Sequence, residues 1–389
     1  MLSPSFLENF PQPLVELYQE LEEFVVVDVA RRLKTAGQIT SSAEFQKQQA
    51  ELFNINNINQ KVAQILKKSN SEIEKMLNEA AYVTIESENK TFKKAGYKTI
   101  ELEESKALQD YLKTAIKQTK GDIENITRSM GFAEKQGDKI VYNSVAKFYQ
   151  KELNLAHIKV SSGVQDYNTA IKQAANKISE SGLRAITYNK EGKNYSINVD
   201  SAARRAVVTS VHQFNQETIN HMANEIVPPD EQYAETTAHF PCRPTHLPWQ
   251  GRTFKVNGSS PGYPNLAEAT DLGSVTGLEG IGCKHSYFTF IKDVSVRTYS
   301  DAELKEMERK SKGTFDYKDQ KYTPYKATQY QRQLENQIRK LKRENLIYKE
   351  TGLEQDVKAT NTQIRELTKE YKEFSSIAEI KAKMNRTQI

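Results

Sequence analysis

Leu14, Leu17, Leu21, Phe24, Val25 and Val29 recur at three- and four-residue intervals, the spacing that gathers apolar side chains on one face of a helix. The pattern predicts a helix ending near Lys34, with Gly37 as its stop. Ser41 with Glu44 reads as a capping box for the next helix, and residues 54–59 as a polar turn. Helical spacing returns from Gln60 to Ser87, with Ile65, Ile73, Met76, Leu77 and Ala80 inward. Ser69-Asn70-Ser71 is expected to interrupt that run and cap its second part. Further helical patterns cover Glu103 to Gln118 and Asn143 to Leu153, separated by Gly121, Gly131 and Gly137. Ile186 to Tyr188 and Asn194 to Val199, with Gly192 between them, predict a short hairpin. Asp200 is the expected N-cap of a helix to about Asn224, striped by Ala203, Val207, Val211, Phe214, Thr218 and Met222.

The pattern breaks at Pro228-Pro229. From there to Ser300 the chain holds 7 of its 11 prolines, its single tryptophan and both cysteines. This predicts a compact, turn-rich unit with a few short strands, such as Ser286 to Ile291. Ser300 or Asp301 then starts another helix. Beyond Thr323, Tyr330, Leu334, Ile338, Leu341 and Tyr348 line one helical face. After Gly352, Leu353, Val357, Ile364, Leu367, Tyr371 and Phe374 line a second. Two helices about one glycine predict a helical hairpin or a coiled-coil arm. The expected fold is mainly α with a small α+β turn-rich unit, an elongated multi-helix protein. Four successive regions are expected: 1–100 helical, 101–227 helical with the hairpin, 228–300 turn-rich, and 301–389 helices and arm.

Composition qualifies this picture. Only 37% of the residues are hydrophobic, below the ~45–50% of an average globular domain. The expectation is thin helical cores that complete their burial on partners. With 55 bases against 50 acids the net charge is +5, too near balance to argue for nucleic acid by itself. Cys242 and Cys283 alone exclude a disulfide-stapled scaffold. Met1 to Gln12 carry no signal-peptide pattern, and Phe24 to Ala30 is too short and too interrupted to span a membrane. A soluble protein made in a cytoplasm, with no membrane anchor, is expected. No P-loop, dinucleotide-binding glycine pattern or EF-hand spacing is present.

Reactive side chains concentrate in His239-Phe240-Pro241-Cys242-Arg243-Pro244-Thr245-His246, Trp249-Gln250-Gly251 and Gly282-Cys283-Lys284-His285. One reading is a metal site. His239, Cys242, Cys283 and His285 would supply the Cys2His2 set that suits tetrahedral zinc, with His246 able to replace one ligand. A second is a polar core in which His246, Arg243 and His285 bond to buried turn carbonyls. A third is a Cys–His hydrolase pairing Cys283 with His246, although no nucleophile elbow or oxyanion-hole loop flanks them. No cofactor other than zinc is suggested. Arg339, Lys340, Lys342 and Arg343 form a basic run on the first carboxyl-terminal helix. It reads as a phosphate-contacting arm, or as a solvated or partner-docking face with Glu335 and Glu344 as local partners.

The string His239, Arg243-Pro244, His246, Trp249-Gln250-Gly251 resembles the hallmark of the phage minor capsid protein 2 family, related to Mu F-type head morphogenesis proteins. Cys283-Lys284-His285 followed by Tyr287-Phe288 resembles that family's later Cys-Arg-His, with Lys284 in place of the arginine. Asp28 to Ser42, Asp200 to Gln213 and the tail around Gln331 to Glu335 and Tyr371 to Phe374 are similar in the expected order. The resemblance implies a structural minor capsid protein of a tailed bacteriophage and not an enzyme. It implies a place inside the head near the portal vertex, with the portal, major capsid or scaffold proteins as partners and packaged DNA as a further contact. It also implies a part in head morphogenesis, extending to DNA packaging or ejection. The chain ends soon after the hairpin, so no appended toxin domain is expected.

Overall fold

The amino-terminal apolar spacing folds as α1 (Pro4–Asn9) and α2 (Gln12–Gln38). The computed structural model describes residues 1–137, 139–188 and 194–389. Helix α2 continues through Gly37, which does not act as a stop. A Cβ at Gly37 would stand 3.0 Å from the Tyr167 ring, so the glycine serves a close approach. The Ser41 hydroxyl caps α3 (Ser42–Leu52) by accepting from Glu44 N. Asn54 Oδ1 accepts from Asn56 N at 2.9 Å and starts α4 (Asn56–Lys94). The expected interruption at Ser69-Asn70-Ser71 is absent. The Ser69 hydroxyl donates back to Ile65 O at 2.8 Å, so the helix absorbs it. Helix α5 (Lys106–Arg128) likewise runs through Gly121.

Gly131 opens, and Gly137 follows the first strand of, a hairpin that helical spacing did not announce, β1 (Gly131–Gln136) with β2 (Lys139–Ser144). Helices α6 (Val145–Ser161) and α7 (Tyr167–Ser181) follow. The predicted hairpin is β3 (Arg184–Tyr188) with β4 (Asn194–Asn198); its turn, with Gly192, lies outside the described residues. Helix α8 (Val199–Ile226) buries its whole predicted stripe from Ala203 to Met222. Asp200 lies within its first turn and does not cap it from outside; its carboxylate accepts from Arg339 at 2.8 Å. Then come β5 (Tyr233–Thr236), β6 (Thr253–Lys255), α9 (Leu266–Thr270), β7 (Tyr287–Phe290) and α10 (Asp301–Lys312). The small hairpin β8 (Phe315–Tyr317) and β9 (Gln320–Tyr322) precedes α11 (Pro324–Thr351) and α12 (Glu354–Ile377). The fold is mainly α with small sheets. Among the described residues no helix is long and apolar enough to cross a membrane.

The chain forms two compact units, each drawn from three stretches. The four regions named from the sequence succeed one another along the chain, whereas these units interleave. One unit comprises Met1–Leu14, Asn70–Asp122 and Arg204–Thr328. Its sheet has the order β6-β5-β7, all antiparallel. Ile219, Ala234, Trp249, Phe254, Leu266, Leu278 and Tyr287 form its apolar cluster.

The other unit comprises Val15–Ser69, Ile123–Ala203 and Gln329–Ile389. Its sheet runs β2-β1-β3-β4. Helices α6 and α7 pack against this sheet, the Phe132 and Phe148 rings stacking at 4.3 Å. In the same unit α11 and α12 form the expected helical hairpin. Tyr330 donates to Glu370 at 2.7 Å, Gln331 to Ser375 at 2.7 Å and Tyr371 to Glu335 at 2.8 Å.

Candidate functional site

The Trp-Gln-Gly string is built from the core outward. Trp249 sits 5% exposed in the apolar cluster, and its carbonyl accepts from the Thr236 hydroxyl at 2.8 Å. A short 3-10 turn, Pro244–His246, precedes it, with His246 N donating to Arg243 O at 2.9 Å. Gly251 turns the chain into β6 at φ 66°. A Cβ there would meet Leu304 Cδ2 at 2.5 Å and Ala238 Cβ at 3.2 Å, so both backbone and space demand glycine. Gln250 then reaches inward, where its Oε1 accepts from His239 N at 3.2 Å and from His285 Nε2 at 3.0 Å.

Three ligand-type atoms converge beside Gln250. His246 Nδ1 lies 3.3 Å from His285 Nδ1, and Cys283 Sγ lies 3.5 Å from His285 Nδ1 and 3.9 Å from His246 Nδ1. The three side chains are buried, at 2%, 3% and 0% exposure for His246, Cys283 and His285. The outer nitrogen of each imidazole meets a carbonyl oxygen, Thr276 O at 2.8 Å for His246 and Gln250 Oε1 for His285. A carbonyl only accepts, so each Nε2 carries the hydrogen and each Nδ1 presents a lone pair inward. The Cys283 sulfur also accepts from His285 N at 3.4 Å.

The other sequence candidates surround this group without joining it. The His239 ring packs on the His285 ring at 4.3 Å between centroids, while Cys242 is buried beside Gln250 and outside the converging set. Arg243 Nη2 donates to Ile281 O. Sequence reasoning missed His212 and Glu279. His212 Nε2 meets Cys283 O at 3.3 Å, and Glu279 accepts from Asn215 at 3.2 Å. The only trace they leave in the sequence is two polar positions, His212 and Asn215, beside the Val211 and Phe214 stripe of α8.

Burial sets the electrostatics. It pushes the Cys283 thiol up to about 11 and the Cys242 thiol up to about 12, and it holds His246 and His285 below their ordinary range. A thiol kept protonated, 3.9 Å from the nearer nitrogen of His246 and sealed from solvent, lacks the features of an activated cysteine nucleophile.

Two members of the basic run differ from both sequence readings, while Lys340 keeps the expected local partner Glu344 at 3.8 Å. Arg339 and Arg343 are each 4% exposed and turn into their own unit. Arg339 donates to Glu22 at 2.7 Å and to Asp200 at 2.8 Å; Arg343 donates to Glu22 at 2.9 Å and to Ser179 O at 3.1 Å. Burial alone would raise the Glu22 carboxyl, but the two guanidiniums outweigh it and hold it at about 2. Lys340 pairs with Glu180 at 3.2 Å, and Lys342 donates to Gln388 at 2.6 Å. Two of the four cations are therefore withdrawn from any phosphate, because each has exchanged water for a buried carboxylate.

Compared with known families, residues 2–375 match the one described as phage minor capsid protein 2. No curated protein and no solved structure is matched. The match takes in both compact units, the sealed Cys/His group and the helical hairpin. The family's role is structural, in the phage virion and among other phage structural proteins. The chain belongs to the phage minor capsid protein 2 family.

Proposed function

We propose that this protein is an internal head protein that associates with the portal while the procapsid assembles. The observation that carries the reading is the family match across nearly the whole chain, on a protein whose Cys/His group is buried. The helical hairpin supports it. Its inner face is occupied by its own unit, whereas the outer face of α12 exposes Glu354, Lys358, Arg365, Glu366, Lys369 and Glu373. A mixed-charge, rigid surface suits a polar rim contact with a partner of fixed geometry. Major capsid and scaffold proteins are the next partners in this reading, and a role in packaging or ejection follows from residence at the portal vertex.

The test mixes the full purified chain with the purified portal protein of the same phage and follows sedimentation and low-resolution imaging. A stoichiometric complex is expected. No complex, with the portal present as a well-formed ring, would overturn the portal assignment and move the contact to the capsid shell.

A further inference from the structure

Two imidazole lone pairs 3.3 Å apart repel unless something positive lies between them. The Nε2 hydrogens are committed to Thr276 O and Gln250 Oε1, so neither ring can turn a hydrogen toward the other without losing a buried bond. The Cys283 thiol carries one hydrogen and can satisfy only one of the two. A metal cation resolves the conflict, because both lone pairs and the Cys283 sulfur face the same buried point.

Two of the three separations match those around a tetrahedral zinc ion, and the third is wider. Zinc bound tetrahedrally at ~2.3 Å from sulfur and ~2.0–2.1 Å from nitrogen sets N···N near about 3.3 Å and S···N near about 3.5 Å. The observed values are 3.3 Å, 3.5 Å and 3.9 Å. One thiolate with two imidazoles is the donor set of a borderline metal and not of calcium or magnesium, which take oxygen. The surrounding bonds are those that orient metal-bound histidines, each ring donating its far N–H to a carbonyl.

We propose that His246 Nδ1, Cys283 Sγ and His285 Nδ1, with one water as the fourth donor, bind a zinc ion that holds the turn-rich segment together. On binding, the Cys283 thiol gives its proton to solvent and the sulfur bonds the metal as thiolate. The ion joins the turn at Pro244–His246 to the strand entry at Cys283 and His285, two stretches nearly forty residues apart in the chain. Gln250 acts as a positioning residue: it fixes the His285 tautomer while Trp249 and Gly251 fix Gln250. His239 packs on the bound ring and is not a ligand, and Cys242 lies outside the converging set.

The test uses the full chain, purified without chelator, equilibrated with zinc and freed of excess metal. Bound metal is measured by mass spectrometry, and cobalt is substituted and read by absorption. The expected result is stoichiometric zinc and a cobalt spectrum with a thiolate charge-transfer band and intense tetrahedral bands. Cys283→Ser removes the charge-transfer band, Cys242→Ser retains it, and Gln250→Leu weakens zinc binding by about 10–100-fold. A folded wild-type chain that takes up neither metal overturns the proposal. Loss of the band in Cys242→Ser, with the circular dichroism unchanged, overturns the ligand assignment. If Cys283→Ser does not fold, the wild-type cobalt spectrum together with Cys242→Ser still decides.

Discussion

Replacing Glu22 by glutamine removes the one charge on which two buried guanidiniums converge, with almost no change of shape. The amide oxygen can still accept one hydrogen bond, but Arg343 then has no ionic partner in the hub and Arg339 keeps only Asp200. Breaking a buried pair from one side costs about 3–5 kcal/mol, because a charge is left without compensation. The carboxyl itself gives a second measure. Holding it at about 2 and not at its ordinary 4.5 corresponds to about 3 kcal/mol, at ~1.4 kcal/mol for each pH unit. Both routes place the loss near 3 kcal/mol in the unit that contains α2 and α11. The sign of the pH dependence follows from the lowered carboxyl. Its contribution is fully present above about pH 4.5 and is lost as the pH falls toward 2. The assay is hydrogen exchange of peptides from α2 and α11 across that range. Fluorescence of Trp249, which lies in the other unit, serves as the internal control. The variant should lose about 3 kcal/mol of protection at neutral pH and show a flatter acid limb. A change below about 1 kcal/mol, or an acid limb as steep as in the wild type, would refute the electrostatic account.

Two further outcomes test the site and its supports. Gly251→Ala should lower stability by about 2 kcal/mol or more, since alanine must adopt a positive φ and its Cβ meets Leu304; urea unfolding followed by Trp249 fluorescence reads it. Ser300→Ala should cost about 1 kcal/mol, because Ser300 and Glu303 bond reciprocally at the start of α10; thermal unfolding with Ser300→Asp as the rescuing variant checks it.

Legibility in the sequence followed the range of the interactions involved. The α8 stripe was plain because a helix repeats every 3.6 residues and every position of the stripe is buried. The hairpin of α11 and α12 was plain for the same reason, with Gly352 marking the break. Ser69 and Gly37 misled because a serine can bond back to its own helix and a glycine can admit a neighbouring ring. The β1–β2 hairpin went unseen because its strands are short and Lys139 to Ser144 does not alternate, with Ile140 exposed. In the site, the residue types were readable and the partnership was not. Which histidine nitrogen faces Cys283 depends on Thr276 O and Gln250 Oε1, contacts that no spacing rule encodes.

The low apolar content has a different meaning from the one composition suggests. An apolar share of 37% predicted thin cores awaiting partners, yet Tyr18, Tyr149, Tyr371, Phe92, Phe132, Phe148 and Phe214 are fully buried. Charged side chains complete the interior. Glu22 is buried with Arg339 and Arg343; Glu152 takes Lys177 at 2.8 Å; Glu88 accepts from Thr289 N at 3.2 Å; Glu235 accepts from Thr298 N at 2.8 Å. Buried pairs add little net stability over apolar packing, but each accepts only its own geometry. Glu22 and Glu152 are thus met by cations, and Glu88 and Glu235 by backbone N–H groups. The hub at Glu22 ties α11 to α2 through Arg339 and Arg343, and the hairpin's second helix leaves a charged face exposed at Glu354, Lys358, Arg365 and Lys369.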